Sequence, residues 1–122
     1  MTPPVPSVSV ADVPELAVLL DVRENHEWAA GHAPRAVHVP MGQVAQWLDD
    51  LARDDLGRDE LATTFPERSV YVVCRSGGRS ANVTAYLRQA GWAATNVEGG
   101  MRAWAAAGRP MLAESDATPT VV

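Results

Sequence analysis

The sequence predicts an α/β domain built on a mainly parallel sheet, and three observations carry that prediction. Short apolar runs rich in valine recur at residues 16–22, 36–39, 70–73 and 95–97, each the length of a buried strand and too short for a helix. Between them lie stretches whose apolar residues recur at steps of three and four, the period of an amphipathic helix. Strands alternating with helices call for crossover connections, which join parallel neighbours. The 122 residues, 47% of them hydrophobic, suffice for one domain around one core.

The elements follow in order. Residues 1–7 hold three prolines and read as a loose arm. The run 16–22 ends in an acid and a valine and reads as a buried strand. Residues 24–30 predict a short helix ended by Gly31. The strand at 36–39 stops at Pro40, which has no N–H for a sheet. From Gly42 to Leu56, the apolar residues Val44, Ala45, Trp47, Leu48, Leu51, Ala52 and Leu56 form one face of a helix. Asp49, Asp50, Asp54 and Asp55 occupy its other side and read as a solvated face, with a calcium site as the alternative. Residues 57–68 predict a polar connection with a helical turn. The run Val70-Tyr71-Val72-Val73 is the strongest strand and is expected at the centre of the sheet. Residues 81–90 predict a helix with Tyr86 and Leu87 in its core face and Gly91 at its C-terminal cap. A strand at 95–97 and a small helix at 101–107, closed by Gly108 and Pro110, complete the domain. It is expected to span 1–112, with a flexible tail at 113–122.

Composition excludes several classes of function. A net charge of -5 offers no attraction to a phosphate backbone, so nucleic acid is not an expected partner. All ten cations are arginine, so no lysine nucleophile exists. One cysteine makes neither an internal disulfide nor a multi-cysteine zinc site. His26, His32 and His38 are spaced by six, but no acid or cysteine completes a metal geometry, and no metal or cofactor is expected. The first ten residues lack a positive region and a long apolar run, so no signal peptide is expected. No stretch approaches the roughly 18 apolar residues of a membrane span. The expected location is cytoplasmic.

The chemistry concentrates at Cys74-Arg75-Ser76-Gly77-Gly78-Arg79-Ser80. A buried strand ends at Cys74 and a helix begins about five residues later; the carboxyl ends of strands in such sheets are where ligands bind. Gly77 and Gly78 allow backbone conformations that turn several N–H groups inward around an anion. The helix start adds the positive end of its dipole, and Arg75 and Arg79 add charge. A thiolate there is stabilised, and its pKa is expected below that of a free thiol. No base sits beside Cys74 in sequence, so the loop itself is the expected source of activation. The alternative is an inert buried cysteine; a phosphate-binding loop lacks its required lysine.

These residues resemble the rhodanese family. The cysteine loop is similar to the active-site loop of its single-domain members. Asp21-Val22-Arg23-Glu24, Glu27-Trp28, Gly31-His32 and Pro40 resemble its N-terminal motif. Val97-Glu98-Gly99-Gly100-Met101, with Trp104, Gly108 and Pro110, resembles its C-terminal motif. The resemblance spans about residues 16–110. It implies a three-layer sandwich with a central parallel sheet flanked by helices, and transfer of sulfane sulfur from thiosulfate or a similar donor to a thiol acceptor or cyanide. It also implies that Cys74 is the nucleophile that carries the persulfide, that Arg75, Ser76, Gly77, Gly78, Arg79 and Ser80 bind substrate, and that Ser80 starts or caps the helix. Asp21 and Arg23 are expected to brace the site by polar pairing. Ala33 and Arg35-Ala36 depart from the motif as loop-packing changes. Glu27 stands where two-domain relatives carry a substrate-binding arginine, which argues against mercaptopyruvate as donor.

Two rival readings stand beside this one. A persulfide relay or binding module would serve a partner protein in place of small acceptors. A phosphatase or arsenate reductase of the same fold would need five residues between cysteine and arginine, and here four separate Cys74 from Arg79. Inserting one residue after Gly78 is therefore expected to impair sulfur transfer and to open the loop to phosphate or arsenate. Unaltered thiosulfate kinetics would show that loop length has no bearing.

Overall fold

In a computed structural model, residues 5–53 and 63–122 are described. Five strands form one sheet in the order β1-β5-β4-β2-β3, every pairing parallel. They are β1 (Ser7–Val8), β2 (Leu19–Asp21), β3 (Ala36–His38), β4 (Ser69–Val73) and β5 (Ala93–Val97). The helices are α1 (Asn25–Ala30), α2 (Val44–Arg53), α3 (Gly78–Gln89) and α4 (Gly100–Ala106). None of the described helices is long and apolar enough to cross a membrane.

The centre of the sheet is where the sequence is most apolar. In β4, Val70, Val72 and Val73 are buried, as a strand covered on both faces requires. Alternate residues divide the interior in two. Leu20, Val22, Val70, Val72 and Ala94 face a core completed by Val44 and Leu51 of α2 and Val83 and Leu87 of α3. Leu19, Val73 and Val97 face a second core with Met101 and Trp104 of α4 and Val10 and Val13 from a 3-10 turn. Helices on both faces give the expected three layers.

The chain runs outward from β2 to β3 on one side and from β4 to β5 on the other. The C-terminal ends of β2 and β4 thus flank the point where the strand order reverses, the crevice in which open α/β sheets bind ligands. Cys74 follows β4 directly.

Several local expectations change. The run 16–22 pairs only from Val18, through Tyr71 N–H to Val18 O, because Ala17 N–H turns back to Pro14 O and Leu16 is exposed. Helix α2 covers residues 44–53 of the amphipathic segment; Asp54, Asp55, Leu56 and the connection to residue 62 lie outside the described residues. In α3 the inward residues are Ser80, Val83, Thr84 and Leu87. Their spacing leaves Tyr86 on the flank, 45% exposed, and so outside the core face assigned to it.

The two chain ends differ most. The N-terminal arm is not loose beyond residue 5: Pro6 O accepts Asn96 N–H at 2.8 Å, and Ser7–Val8 covers the edge of β5, which would otherwise expose unpaired backbone groups. Residues 1–4 lie outside the described residues. The tail, expected to be flexible, is laid against the domain. Leu112 exchanges backbone hydrogen bonds with His32, Glu114 N–H reaches Ala29 O, and Thr120 N–H reaches Ala30 O. Met111 and Val121 pack on the second core, and Trp28 Nε1 donates to Glu114. Met111 lies within the expected domain, 1–112; in the tail, a polar average hid the apolar anchor Val121. Deleting residues 111–122 is expected to lower stability by about 2–4 kcal/mol, from two half-buried side chains and the lost backbone bonds. Urea denaturation checks this; an unchanged midpoint would show that the tail contributes nothing.

Candidate active site

The site begins with a backbone arrangement. The carbonyls of Cys74 and Arg75 point into the first turn of α4, accepting from Met101 N–H at 2.8 Å and Arg102 N–H at 3.0 Å. A Cβ at Gly100 would collide with Cys74 O, so this approach needs glycine. With its first two carbonyls committed there, the loop is free to turn its N–H groups the other way. Gly77 sits in the left-handed region at φ 114° and closes the turn as the N-cap of α3.

The sulfur lies inside this turn. Cys74 is 1% exposed. Gly77 N–H donates to Sγ at 3.1 Å, and Ser80 Oγ lies 3.2 Å from it. Burial pushes the thiol pKa up, but the Ser80 hydroxyl and the N–H groups of Ser80, Gly77 and Ser76 more than offset it, leaving the thiol below its ordinary value. These donors favour the thiolate over the thiol, against the effect of burial.

The expected site residues divide into three groups. Ser76, Gly77 and Ser80 surround the sulfur. Ser80 does not cap α3, for Gly77 takes that place; its hydroxyl is within the helix and buried, between Cys74 Sγ and Asn96 Oδ1, 2.6 Å away. Arg75 and Gly78 are exposed. Arg79 turns away to α1, where its two terminal nitrogens meet the two oxygens of Glu27 at 2.7 and 2.8 Å. The two arginines are therefore not equivalent: Arg79 is a brace, while Arg75 stands open to solvent.

Glu27 is held for this task. It forms a capping box with Glu24 at the start of α1. The Arg79 guanidinium, against the opposing effect of burial, draws the Glu27 carboxyl down to about 2, and Glu27 in turn raises Arg79. Asp21 and Arg23 form a second, fully buried pair: Arg23 Nε and Nη2 reach Asp21 at 2.9 and 2.8 Å, and Nη2 also reaches Gly31 O at 2.7 Å. Arg23 joins the end of β2 to the end of α1, and His38 bonds its carbonyl from β3. His32 and His38 both stack on Trp28, at 3.6 and 4.7 Å between ring centres. A cavity of about 480 Å³ lined by Ala17, Leu19, Trp104 and Arg109 lies at the opposite ends of the strands, far from the sulfur in the topology.

Asn96 and the Glu27–Arg79 pair were not assigned to the site from sequence. The signal for Asn96 was a lone amide beside Val97 in a short strand, a group that needs a partner when buried. For Glu27 it was an acid whose counterion lies 52 residues away, a pairing no local pattern reveals.

A carboxyl depressed in the folded state takes up protons more readily unfolded, so its stabilisation is complete above about 4.5 and drains away as pH falls toward about 2. Glu27→Gln is expected to flatten the pH dependence of stability within that window. At neutral pH it is expected to cost about 1–2 kcal/mol, reduced because Arg79 remains partly hydrated. Thermal unfolding across pH checks both; a variant with the wild-type pH slope would remove the pair from the stability of the loop.

The comparisons with known proteins agree with this architecture. YtwF of Bacillus subtilis (strain 168) is 39% identical over 92 residues, covering 75% of this chain and 77% of YtwF. A protein named Sulfurtransferase from Allochromatium vinosum is 33% identical over 108 residues, 88% of each chain. Adenylyltransferase and sulfurtransferase MOCS3 of Arabidopsis thaliana is 35% identical over 96 residues, 75% of this chain but only 21% of that protein. The crystal structure of a rhodanese-related protein from Thermoplasma volcanium superposes with a TM-score of 0.69 at 28% identity, covering 88% of this chain and 97% of that one. The family model of the rhodanese-like domain matches residues 10–107, from the 3-10 turn before β2 to the end of α4, with the sulfur loop between. On these grounds the chain belongs to the rhodanese-like domain family.

Proposed function

We propose that the protein is a sulfurtransferase that carries sulfane sulfur as a persulfide on Cys74. The observation that carries this reading is the Cys74 sulfur itself, buried at the switch point of the sheet and faced by the Gly77 N–H and the Ser80 hydroxyl. In the first step the Cys74 thiolate attacks the outer sulfur of thiosulfate. The bond between the two thiosulfate sulfurs breaks, and sulfite leaves with its electron pair. The new S–S bond leaves the negative charge on the terminal sulfur, which inherits the field of the same donors. In the second step an acceptor thiolate attacks that terminal sulfur, takes it as its own persulfide, and returns Cys74 to the thiolate. Each half is thiol–disulfide exchange in form, in a two-step course.

Arg75 is the exposed cation beside the loop and is assigned to the donor anion. Arg79 acts on the reaction by fixing the loop through Glu27. The four-residue spacing, with Gly77 N–H already within hydrogen-bond distance of Sγ, favours a sulfur atom over a tetrahedral phosphate. A protein acceptor is the second reading. It is favoured by the likeness to MOCS3, a protein whose name joins adenylyl and sulfur transfer and in which the matching segment is a fifth of the length.

Intact mass spectrometry after incubation with thiosulfate tests the proposal. Wild type is expected to gain one sulfur atom, Cys74→Ser none, and cyanide should remove the gain. No gain in folded wild type, with turnover of arsenate or an aryl phosphate, would replace sulfur transfer with the rival chemistry. Arg75→Ala is expected to raise the KM for thiosulfate about three- to tenfold with folding intact, the loss of one charge-assisted contact. Unchanged steady-state kinetics would remove Arg75 from donor binding.

A further inference from the structure

The Ser80 hydroxyl has one proton and two claimants for it. Cys74 Sγ lies 3.2 Å away and Asn96 Oδ1 only 2.6 Å away. An alcohol donates one hydrogen bond at a time, so the two contacts cannot both be donated by Ser80. The other arm of the same amide, Asn96 Nδ2, reaches toward Gly77 O at 3.4 Å. Gly77 is the residue whose N–H donates to the sulfur. One buried amide, 5% exposed on β5, therefore touches two of the three residues, Gly77 and Ser80, that direct donors at Sγ.

We propose that Asn96 is a positioning residue that decides which way the Ser80 hydroxyl points: toward Asn96 while the Cys74 sulfur is neutral, and toward the sulfur once it is anionic. A neutral thiol is a weak acceptor, and the amide oxygen wins the proton at 2.6 Å. A thiolate or a terminal persulfide is a far stronger acceptor. If the amide then turns end for end, its NH2 donates to Ser80 Oγ, and the hydroxyl is left with its proton for the sulfur. The result is a chain of donors, Asn96 to Ser80 to sulfur, each strengthening the next. The exchange loses the long contact to Gly77 O, which keeps Ala81 N–H at 3.1 Å, and sets Asn96 Oδ1 against that carbonyl, a cost that the hydrogen bond to an anionic sulfur outweighs. A carboxylate could not do this, since it only accepts, nor could an aliphatic chain, which does neither. Charged groups on the elements packed around the sulfur include Arg79, paired with Glu27 of α1, Arg75 and Arg102 where the loop meets α4, Glu98 after β5, and the buried Asp21–Arg23 pair at the end of β2; none of them belongs to this chain of donors.

The role matters for turnover only if Cys74 carries sulfur as proposed above, but its test does not depend on sulfur transfer. The pH midpoint of Cys74 alkylation is measured for Asn96→Asp and Asn96→Leu, each with Ser80 intact and with Ser80→Ala. Asn96→Asp is expected to raise the midpoint by about one pH unit or more, by holding the hydroxyl away from the sulfur. Both substitutions are expected to lose at least half of their effect when Ser80 is alanine. Shifts of equal size with and without Ser80 would overturn the proposal, for Asn96 would then act through the general structure. Should the strand variants not fold, the side-chain amide resonances of Asn96 in the unmutated protein decide. They are expected to move with the thiol titration, and to move far less in Ser80→Ala; resonances that stay constant through the titration would overturn it.

Discussion

Everything at the sulfur depends on where the carbonyls of Cys74 and Arg75 go. A peptide unit points its N–H and C=O in opposite directions, so a loop that gathers N–H groups around an anion must dispose of its carbonyls elsewhere. Here the first turn of α4 takes them, since the N-terminal N–H groups of a helix have no partners of their own. Each side satisfies the other: α4 gains acceptors and the loop gains its orientation. The absence of a side chain at Gly100 allows the two backbones to meet. The glycines after β5 and the cysteine after β4 are therefore one device, although 25 residues of strand and helix intervene.

Around this device sit two ion pairs with different functions in the architecture. Asp21–Arg23 is wholly buried and ties the ends of β2 and α1 together through Gly31 O. Arg79–Glu27 is half open and fastens the start of α3 to α1. The first lies beside the end of β4, where Asp21 pairs with Val73, and the second restrains the far end of the loop. Neither charge pair donates to the sulfur, whose donors include the Gly77 N–H and the Ser80 hydroxyl, dipoles that would meet a negative charge there without a counterion.

Much of this was legible in the sequence. The apolar run of β4, the glycine pair after Cys74 and the helical period beyond it are local signals, and local signals set local structure. The cysteine loop and the parallel sheet were visible for that reason. What was not visible was tertiary. Ser80 reads as a helix cap because serine favours that place, yet the left-handed Gly77 starts the helix earlier and carries Ser80 inside. Tyr86 reads as core until the rotation of α3 is known. The arm and the tail read as loose because their few apolar residues are diluted by proline, serine and threonine; their partners are a sheet edge and a carbonyl row formed by distant segments.

The pairing of β1 with β5 joins Ser7 to Asn96, about three-quarters of the length of the 122-residue chain apart. Contacts so distant in sequence form late, after the intervening loop entropy has been spent. During synthesis the first strand must wait for the fifth to emerge, and until then the edge of the sheet is open. Asn96, whose backbone N–H donates to Pro6 O and whose Oδ1 accepts from Ser80 Oγ, belongs to that last strand. The donors around the thiol are thus incomplete until β5 has emerged and paired with β4, so the environment of the sulfur is assembled together with the sheet.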